Sequence, residues 1–378
     1  MADDPYVAAR VRAMRGRLLD ARRFADLLAC GDAPCVARLL QGTPYGAPIE
    51  RAGGGADAGA IEEGLRRELR ANVAALRGTC RGRWRELLDA LLERWEVENL
   101  KTLLRGRRAG SPVEEILAGL APIGWSDEPA LAELARRPSI QAMVETLMLW
   151  RHPAAKALKA AVAGRLLMSF NGRLLVPFNG RLLVPFNAQG GAVDEDRLDL
   201  IAVESALDHW SHDAARAMLD PRDESDRSVL SYLGWVIDER NLLAAIRLRQ
   251  EGRGGTIADE AFVPGGAEVG RDLFRRLLRA DDWERVADLV SHTRYGPVSI
   301  ARGAPHPPLA LLEPQIRRNV IHRVEASCRP DPLGFGLVIG YVERKVDEVR
   351  TLRMIAHGVA YGLDASAIRP VLTLPATA

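Results

Sequence analysis

Lysine is almost missing from this chain. Only Lys101, Lys156, Lys159 and Lys345 stand among its 52 basic residues, and the rest are arginine. Heavy use of arginine beside alanine is a compositional bias and marks no phosphate site by itself. An excess of either charge is missing too. The 52 basic side chains face 50 acidic ones, a formal net charge of +2. Nucleic-acid binders show a basic excess or stripe, so no nucleic-acid partner is expected. Cysteine is scarce: Cys30, Cys35, Cys80 and Cys328 form no C-x-x-C pair, and no histidine pair stands at zinc-finger distance. Neither a structural zinc nor a disulfide framework is expected, and a large cysteine-poor chain fits a reducing compartment. Long apolar runs are lacking as well. The longest largely apolar uncharged run, Pro332 to Val342, is far short of the roughly 20 residues a helix needs to cross a bilayer. The acidic start, Met1 to Pro5, has no apolar stretch behind it, so no secretory signal is expected. Any membrane role then comes through a partner.

What is present is helical periodicity. From Trp84 to Leu104 the apolar positions are Trp84, Leu87, Leu88, Leu91, Leu92, Trp95, Leu100, Leu103 and Leu104, one stripe of an α-helix. Gly106 and Gly110 read as stop signals. Ser111-Pro112-Val113-Glu114 reads as a restart, with Ser111 as N-cap and Glu114 closing a capping box. The same periodicity recurs over 6–29, 61–76, 112–120, 129–149, 195–219, 228–250, 269–290, 313–327 and 336–357. Strand-like alternation is nearly absent, so the fold class is all-α. Trp84, Trp95, Trp235 and Trp283 are expected in the core or between helices. One stretch stands apart: 165–188 is an eight-residue cassette in three copies, RLLMSFNG, RLLVPFNG and RLLVPFNA. Its Asn-Gly steps suit a short β-hairpin, but a tandem duplication held in a surface loop at about 164–192 is the preferred reading. Pro177 and Pro185 also argue against strands.

The chain repeats itself on a larger scale. Residues 24–46 align without a gap on 274–296, at an offset of 250. Phe24 meets Phe274, Leu27 meets Leu277, Val36 meets Val286, and Tyr45-Gly46 meet Tyr295-Gly296. A weaker copy from about Leu131 to His152 lies at an offset of 107. A second element also occurs three times and superposes Glu96, Asp238 and Glu348. Leu100, Leu242 and Leu352 follow together, and Arg105, Arg247 and His357 share the position nine residues after the acid. From the tyrosine to the acid is 51 residues in the first copy (Tyr45, Glu96) and 53 in the third (Tyr295, Glu348). In the middle copy His152 to Asp238 is 86, and the 24-residue cassette accounts for most of the excess. The expected organisation is three units, 1–126, 127–262 and 263–378, the middle one carrying the insertion at 164–192. Such units bury their apolar faces by packing on one another, and three can close about a pseudo-threefold axis. The repeated acid is either an internal ion pair or a contact facing the interior, and the structural role is favoured because it recurs in every unit.

Chemistry-bearing constellations are weak. His209 and His212 lie one helical turn apart but lack further ligands. Gly53-Gly54-Gly55 lacks the Gly-Lys-Ser/Thr of a phosphate loop, and no G-x-S-x-G elbow occurs. No catalytic residue, metal or cofactor is expected. One reading of the repeats alone is an α-helical scaffold for protein–protein interaction.

The segment Glu93 to Gly106, ERWEVENLKTLLRG, resembles the signature of the C subunit of V/A-type ATPases and ATP synthases, the family that includes the V-ATPase d subunit. So do the opening Tyr6 to Arg15, the turn Thr43-Pro44-Tyr45-Gly46, and the ending Gly340 to Gly362. The likeness spans nearly all of the chain except about 164–192. It implies three helical domains forming a funnel, a non-catalytic central-stalk socket between the proteolipid c ring and the soluble shaft. It implies proton or sodium transport linked to ATP synthesis or hydrolysis, at the cytoplasmic face of the membrane. The family-motif positions, possible interface residues, are Glu96, Asn99, Arg105, Asp238, Asn241, Arg247, Glu348 and Arg353. The chain departs from the pattern where the middle copy has Trp150-Arg151-His152-Pro153 for the turn, and where Thr351 replaces Asn99 and Asn241.

Overall fold

The computed structural model describes residues 4–53, 57–171, 198–253, 255–298, 309–329 and 331–374. Every regular element among them is helical. The first are α1 (Asp4–Arg15), α2 (Ala21–Leu28), α3 (Ala33–Leu40), α4 (Gly46–Arg51), α5 (Ala58–Thr79) and the long α6 (Gly82–Ala109). Then come α7 (Val113–Ala118), α8 (Glu128–Ala135), α9 (Ile140–Leu149), α10 (Ala155–Asn171), α11 (Leu200–Ala217) and the long α12 (Glu224–Gln250). The last are α13 (Thr256–Ala261), α14 (Arg271–Arg279), α15 (Trp283–Ser291), α16 (Leu309–Ser327), the long α17 (Gly336–Ala360) and α18 (Ala365–Ile368).

The stretch 6–29, predicted as one helical run, is broken. Asp20 adopts an extended backbone and its carboxylate accepts from the Arg23 amide, which caps α2 and forces a new start. Asp32, Ser139 and Asp282 do the same for α3, α9 and α15, so each repeat opens with the same short helical hairpin. The predicted boundary at 106–114 is also corrected. α6 runs through Gly106, and a Cβ there would stand 2.5 Å from Ile116 Cγ1, so this glycine permits α7 to pack close. The stop is Gly110, in the left-handed region at φ 66°. Its amide donates to Arg107 and that of Ser111 to Gly106, so Ser111 finishes α6 instead of capping α7.

Cys30 and Cys35 are joined in a disulfide across the turn from α2 to α3, with Cα atoms 5.6 Å apart. This corrects the expectation that the cysteines are unpaired: the capped turn between α2 and α3 brings two residues five apart in sequence within bridging distance. The first cassette copy, as far as Asn171, lies in the last turns of α10, and 172–197, with the rest of the cassette, lie outside the described residues.

Three apolar clusters form the core. α17 packs on α1, α2, α3 and α5, joining the two ends of the chain in the first cluster. The second gathers the end of α6 with α7 to α11, and the third the end of α12 with α13 to α16. The two long helices before α17 each feed two clusters. Trp84 to Trp95 belong to the first and Val97 to Leu104 to the second. Val229 to Val236 belong to the first and Leu242 to Leu248 to the third. Trp84 is buried edge-on against Phe335, with centroids 5.5 Å apart, and Trp95 is buried beneath Arg94. Trp235 and Trp283 are half-buried and carry Arg323 and Arg249 over their rings.

Candidate functional site

The repeated acids sit where the clusters hand over to one another. Each is buried in the long helix of one repeat copy and takes hydrogen bonds from the residues that flank the short helical hairpin of the next copy. Glu96, 1% exposed, accepts from the Ser126 amide at 2.9 Å, from Ser126 Oγ at 2.6 Å and from His152 Nε2 at 2.9 Å. The Ala154 amide donates to His152 Nδ1, which places the ring proton on Nε2, facing Glu96. Asp238, fully buried, accepts from the Glu268 and Val269 amides, each at 2.8 Å, and from the Tyr295 hydroxyl at 2.7 Å. Glu348 accepts from the Leu19 amide at 2.5 Å and from the Tyr45 hydroxyl, with Lys345 Nζ at 3.4 Å.

Those contacts run in a cycle. The long helix of the first repeat copy grips the segment leading into the second copy's hairpin and the turn closing it. The second copy's helix does the same to the third, and the third's to the first, across a sequence separation of 303. The gripped amides of Leu19, Ser126 and Val269 obey the same offsets, 107 and 250, that align the repeats. We call each such joint a clasp.

Burial acts alike on all three acids, and their partners answer differently. In Glu96 burial pushes the carboxyl up, yet the bonds from His152 and Ser126 outweigh it and hold the group below the usual carboxylate range. In Asp238 burial wins over Tyr295 and the two amides, so the carboxyl is raised. In Glu348 burial wins over Lys345, Tyr45 and the Leu19 amide. Burial also pulls the Lys345 ammonium down against the neighbouring glutamates.

Asparagine forms a second, flanking lock. Asn99 donates to the Ala121 carbonyl at 2.7 Å and accepts from its amide at 2.8 Å. Asn241 holds Val263 in the same way, at 2.8 and 2.9 Å. Both reach 22 residues along the chain. The third copy has the buried Thr351 at this position, too short to reproduce the two-bond pattern.

The cations split. Arg105 makes a bidentate pair with Glu204, at 2.7 and 2.6 Å. Arg353 and His357 share Glu62, at 2.8 and 2.7 Å. Arg247 is exposed and has no side-chain partner among the described residues. Among α6, α12, α16 and α17, Arg94 and Arg317 cross-link Glu239 and Glu343 in a buried lattice, with the Tyr232 hydroxyl on Arg94 at 2.5 Å. Burial pushes Glu343 up, but the two guanidiniums hold it below its usual range. Nearby, burial lifts Asp347 to about 6. The repeat alignment contained Tyr45, His152 and Tyr295, but nothing in it said which acid each would meet. Glu62, Glu204 and Ser126 escaped notice because their partners lie far away in sequence.

A chain that spends its repeated acids on fastening its own units defines a class of helical structural parts. Its relatives name the family. The family model described as ATP synthase (C/AC39) subunit matches residues 7–371, and the chain belongs to that family. A V-type ATP synthase C subunit from Thermus thermophilus is 29% identical over 99% of this chain and all of its own length. One of the same name from Deinococcus radiodurans is 27% identical, over 98% of this chain and 91% of its own. An A-type ATP synthase C subunit from Methanothermobacter thermautotrophicus is 25% identical, over 93% of this chain and 83% of its own. This is a rotary ATPase subunit, a structural stalk component and not a catalytic one, whose partners are other subunits of that complex. The complex is membrane-associated, and no helix among the described residues is long and apolar enough to cross a membrane.

Proposed function

We propose that this chain is the socket of the central stalk. Its three units, 1–126, 127–262 and 263–378, form a funnel about a pseudo-threefold axis. One end seats on the proteolipid c ring and the other receives the soluble shaft, on the cytoplasmic side. Rotation of the ring, driven by protons or sodium ions, is thereby linked to ATP synthesis or hydrolysis. The observation that carries this reading is the cyclic order of the clasps, closed by Tyr45 on Glu348. A linear array of helical repeats twists and flexes at each junction, whereas a ring fastened head to tail resists torsion. Of the motif positions, Glu96, Asn99, Asp238, Asn241 and Glu348 are committed internally. Arg105 is held by Glu204 and Arg353 by Glu62, so we assign partner contact to the exposed Arg247.

The test is capture from detergent-solubilised native membranes with this chain as bait. Recovery of the c ring together with shaft and catalytic subunits is expected. Recovery of shaft and catalytic subunits without the ring would remove the ring-seating half of the proposal.

A further inference from the structure

The cation row and its facing acids show what one joint lacks. The fifth residue of α5, of α11 and of α16 is glutamate: Glu62, Glu204 and Glu313. Ile61, Val203 and Leu312, just before them, are all buried, so the three helices share a register. Two of these glutamates meet the cation from the long helix of the preceding unit, Glu204 with Arg105 and Glu62 with His357. Register assigns Glu313 to Arg247. Instead Glu313 is held by Arg350 at 2.6 Å.

Arg247 therefore faces a cavity of about 270 Å³ between α6, α11, α12 and α13. Four carboxylates line it, and each has a cation. Glu98 and Asp208 are held by Lys101 and Arg240, Glu204 by Arg105, and Glu313 by Arg350. The remaining unmatched charge is one guanidinium. A phosphate or nucleotide needs several convergent donors, and only one guanidinium here is left without a partner among the described residues. A single carboxylate matches the single surplus charge, and Leu243, Ala244 and Leu248 offer apolar wall to its methylene stem.

We propose that this cavity is a docking pocket for an acidic side chain of another subunit of the ATPase complex, received by Arg247. The partner carboxylate takes the place that Glu204 and Glu62 fill at the other two joints. The proposal rests on the stalk reading and adds to it the residue and the chemistry of one contact.

The test uses full-length chain, fluorescently labelled, titrated into the ATPase complex prepared without this subunit. Wild type is compared with Arg247→Ala, Arg247→Glu and, as control, Arg276→Glu on the exposed face of α14. Arg247→Glu is expected to weaken association about tenfold or more, Arg247→Ala less, and Arg276→Glu not at all. Raising the salt should narrow the gap between wild type and Arg247→Ala. Circular dichroism and the unfolding midpoint of Arg247→Ala should match wild type, because the Arg247 side chain bonds to none of the described residues. Wild-type affinity in Arg247→Glu would overturn the pocket and leave the stalk reading standing. Failure of the wild-type chain itself to join the complex would overturn both.

Discussion

The first clasp and the other two perform the same task with opposite electrostatics. Glu96 faces a histidine and a serine, and its carboxyl is stabilised as the anion. Asp238 faces a tyrosine and two amides, Glu348 a tyrosine, an amide and Lys345, and burial raises both carboxyls above their usual range. All three acids are buried on long helices and grip homologous segments. The turn residue differs, His152 where the others have Tyr45 and Tyr295, and so do the flanking donors, the Ser126 hydroxyl in the first clasp and Lys345 in the third. Repetition thus preserves the place of a buried acid without preserving its charge preference. That preference is set by the partner on the other side of the joint.

The sharpest way to break this comparison is to neutralise each acid in place. Glu96→Gln should lose about 2–4 kcal/mol in urea unfolding. The cost is high because His152 is locked: Nδ1 is taken by Ala154, so the ring cannot turn a lone pair toward the new amide. Asp238→Asn should lose less, about 1–2 kcal/mol, because burial already opposes the charge it removes, although the new NH2 meets a backbone amide donor in either orientation. Equal losses would show that the chemistry of the partner is irrelevant.

Next in size is Asn241→Ala, which strands the buried Val263 amide and carbonyl, at a cost of about 2 kcal/mol. The same change at the unpatterned third position, Thr351→Ala, should cost less, and differential scanning calorimetry would read both.

The pH dependence sharpens the contrast further. Glu96 has a lowered folded pKa, so its stabilisation is present above the unfolded carboxylate range and is lost as pH falls through the folded value. Asp238 and Glu348 have raised folded pKa values, so their contribution is largest at low pH and shrinks as pH rises through the folded values. Asp347 follows the same sign, its contribution shrinking as pH rises toward about 6. Urea midpoints between about pH 3 and pH 7 should therefore show a shallower acid loss in Glu96→Gln than in wild type. Asp238→Asn should make the acid loss steeper than in wild type, because it removes a contribution that grows as pH falls.

The smallest effect belongs to Arg105→Ala. Its side chain is 45% exposed, and solvent screening limits the pair with Glu204 to under about 1 kcal/mol. A larger loss would mean that the cation row carries the fold as well as the surface.

Much of this was legible in the chain. Helices and repeats follow from local apolar spacing, and the 107 and 250 offsets found in the hairpins reappear in the amides that grip the acids. The position of the repeated acid was legible for the same reason. Its bonding partner was not, because the Glu348–Tyr45 bond closes across nearly the whole sequence. The break at Asp20 and the reassigned Ser111 were missed because apolar period persists through a cap and reveals nothing of backbone direction. The exchange of Glu313 from Arg247 to Arg350 is also invisible to alignment, which pairs residues by register while side chains pair by reach.

The sharing of α6 and α12 between two clusters has a mechanical consequence. A hinge needs a stretch of chain that belongs to neither body it connects. Here the residues on either side of Glu96 and of Asp238 are rooted in different cores, and the helix runs unbroken between them. Bending at either point would cost buried apolar surface in two places at once. Load applied to one core therefore passes to the next along a continuous beam, with little of it lost to flexure.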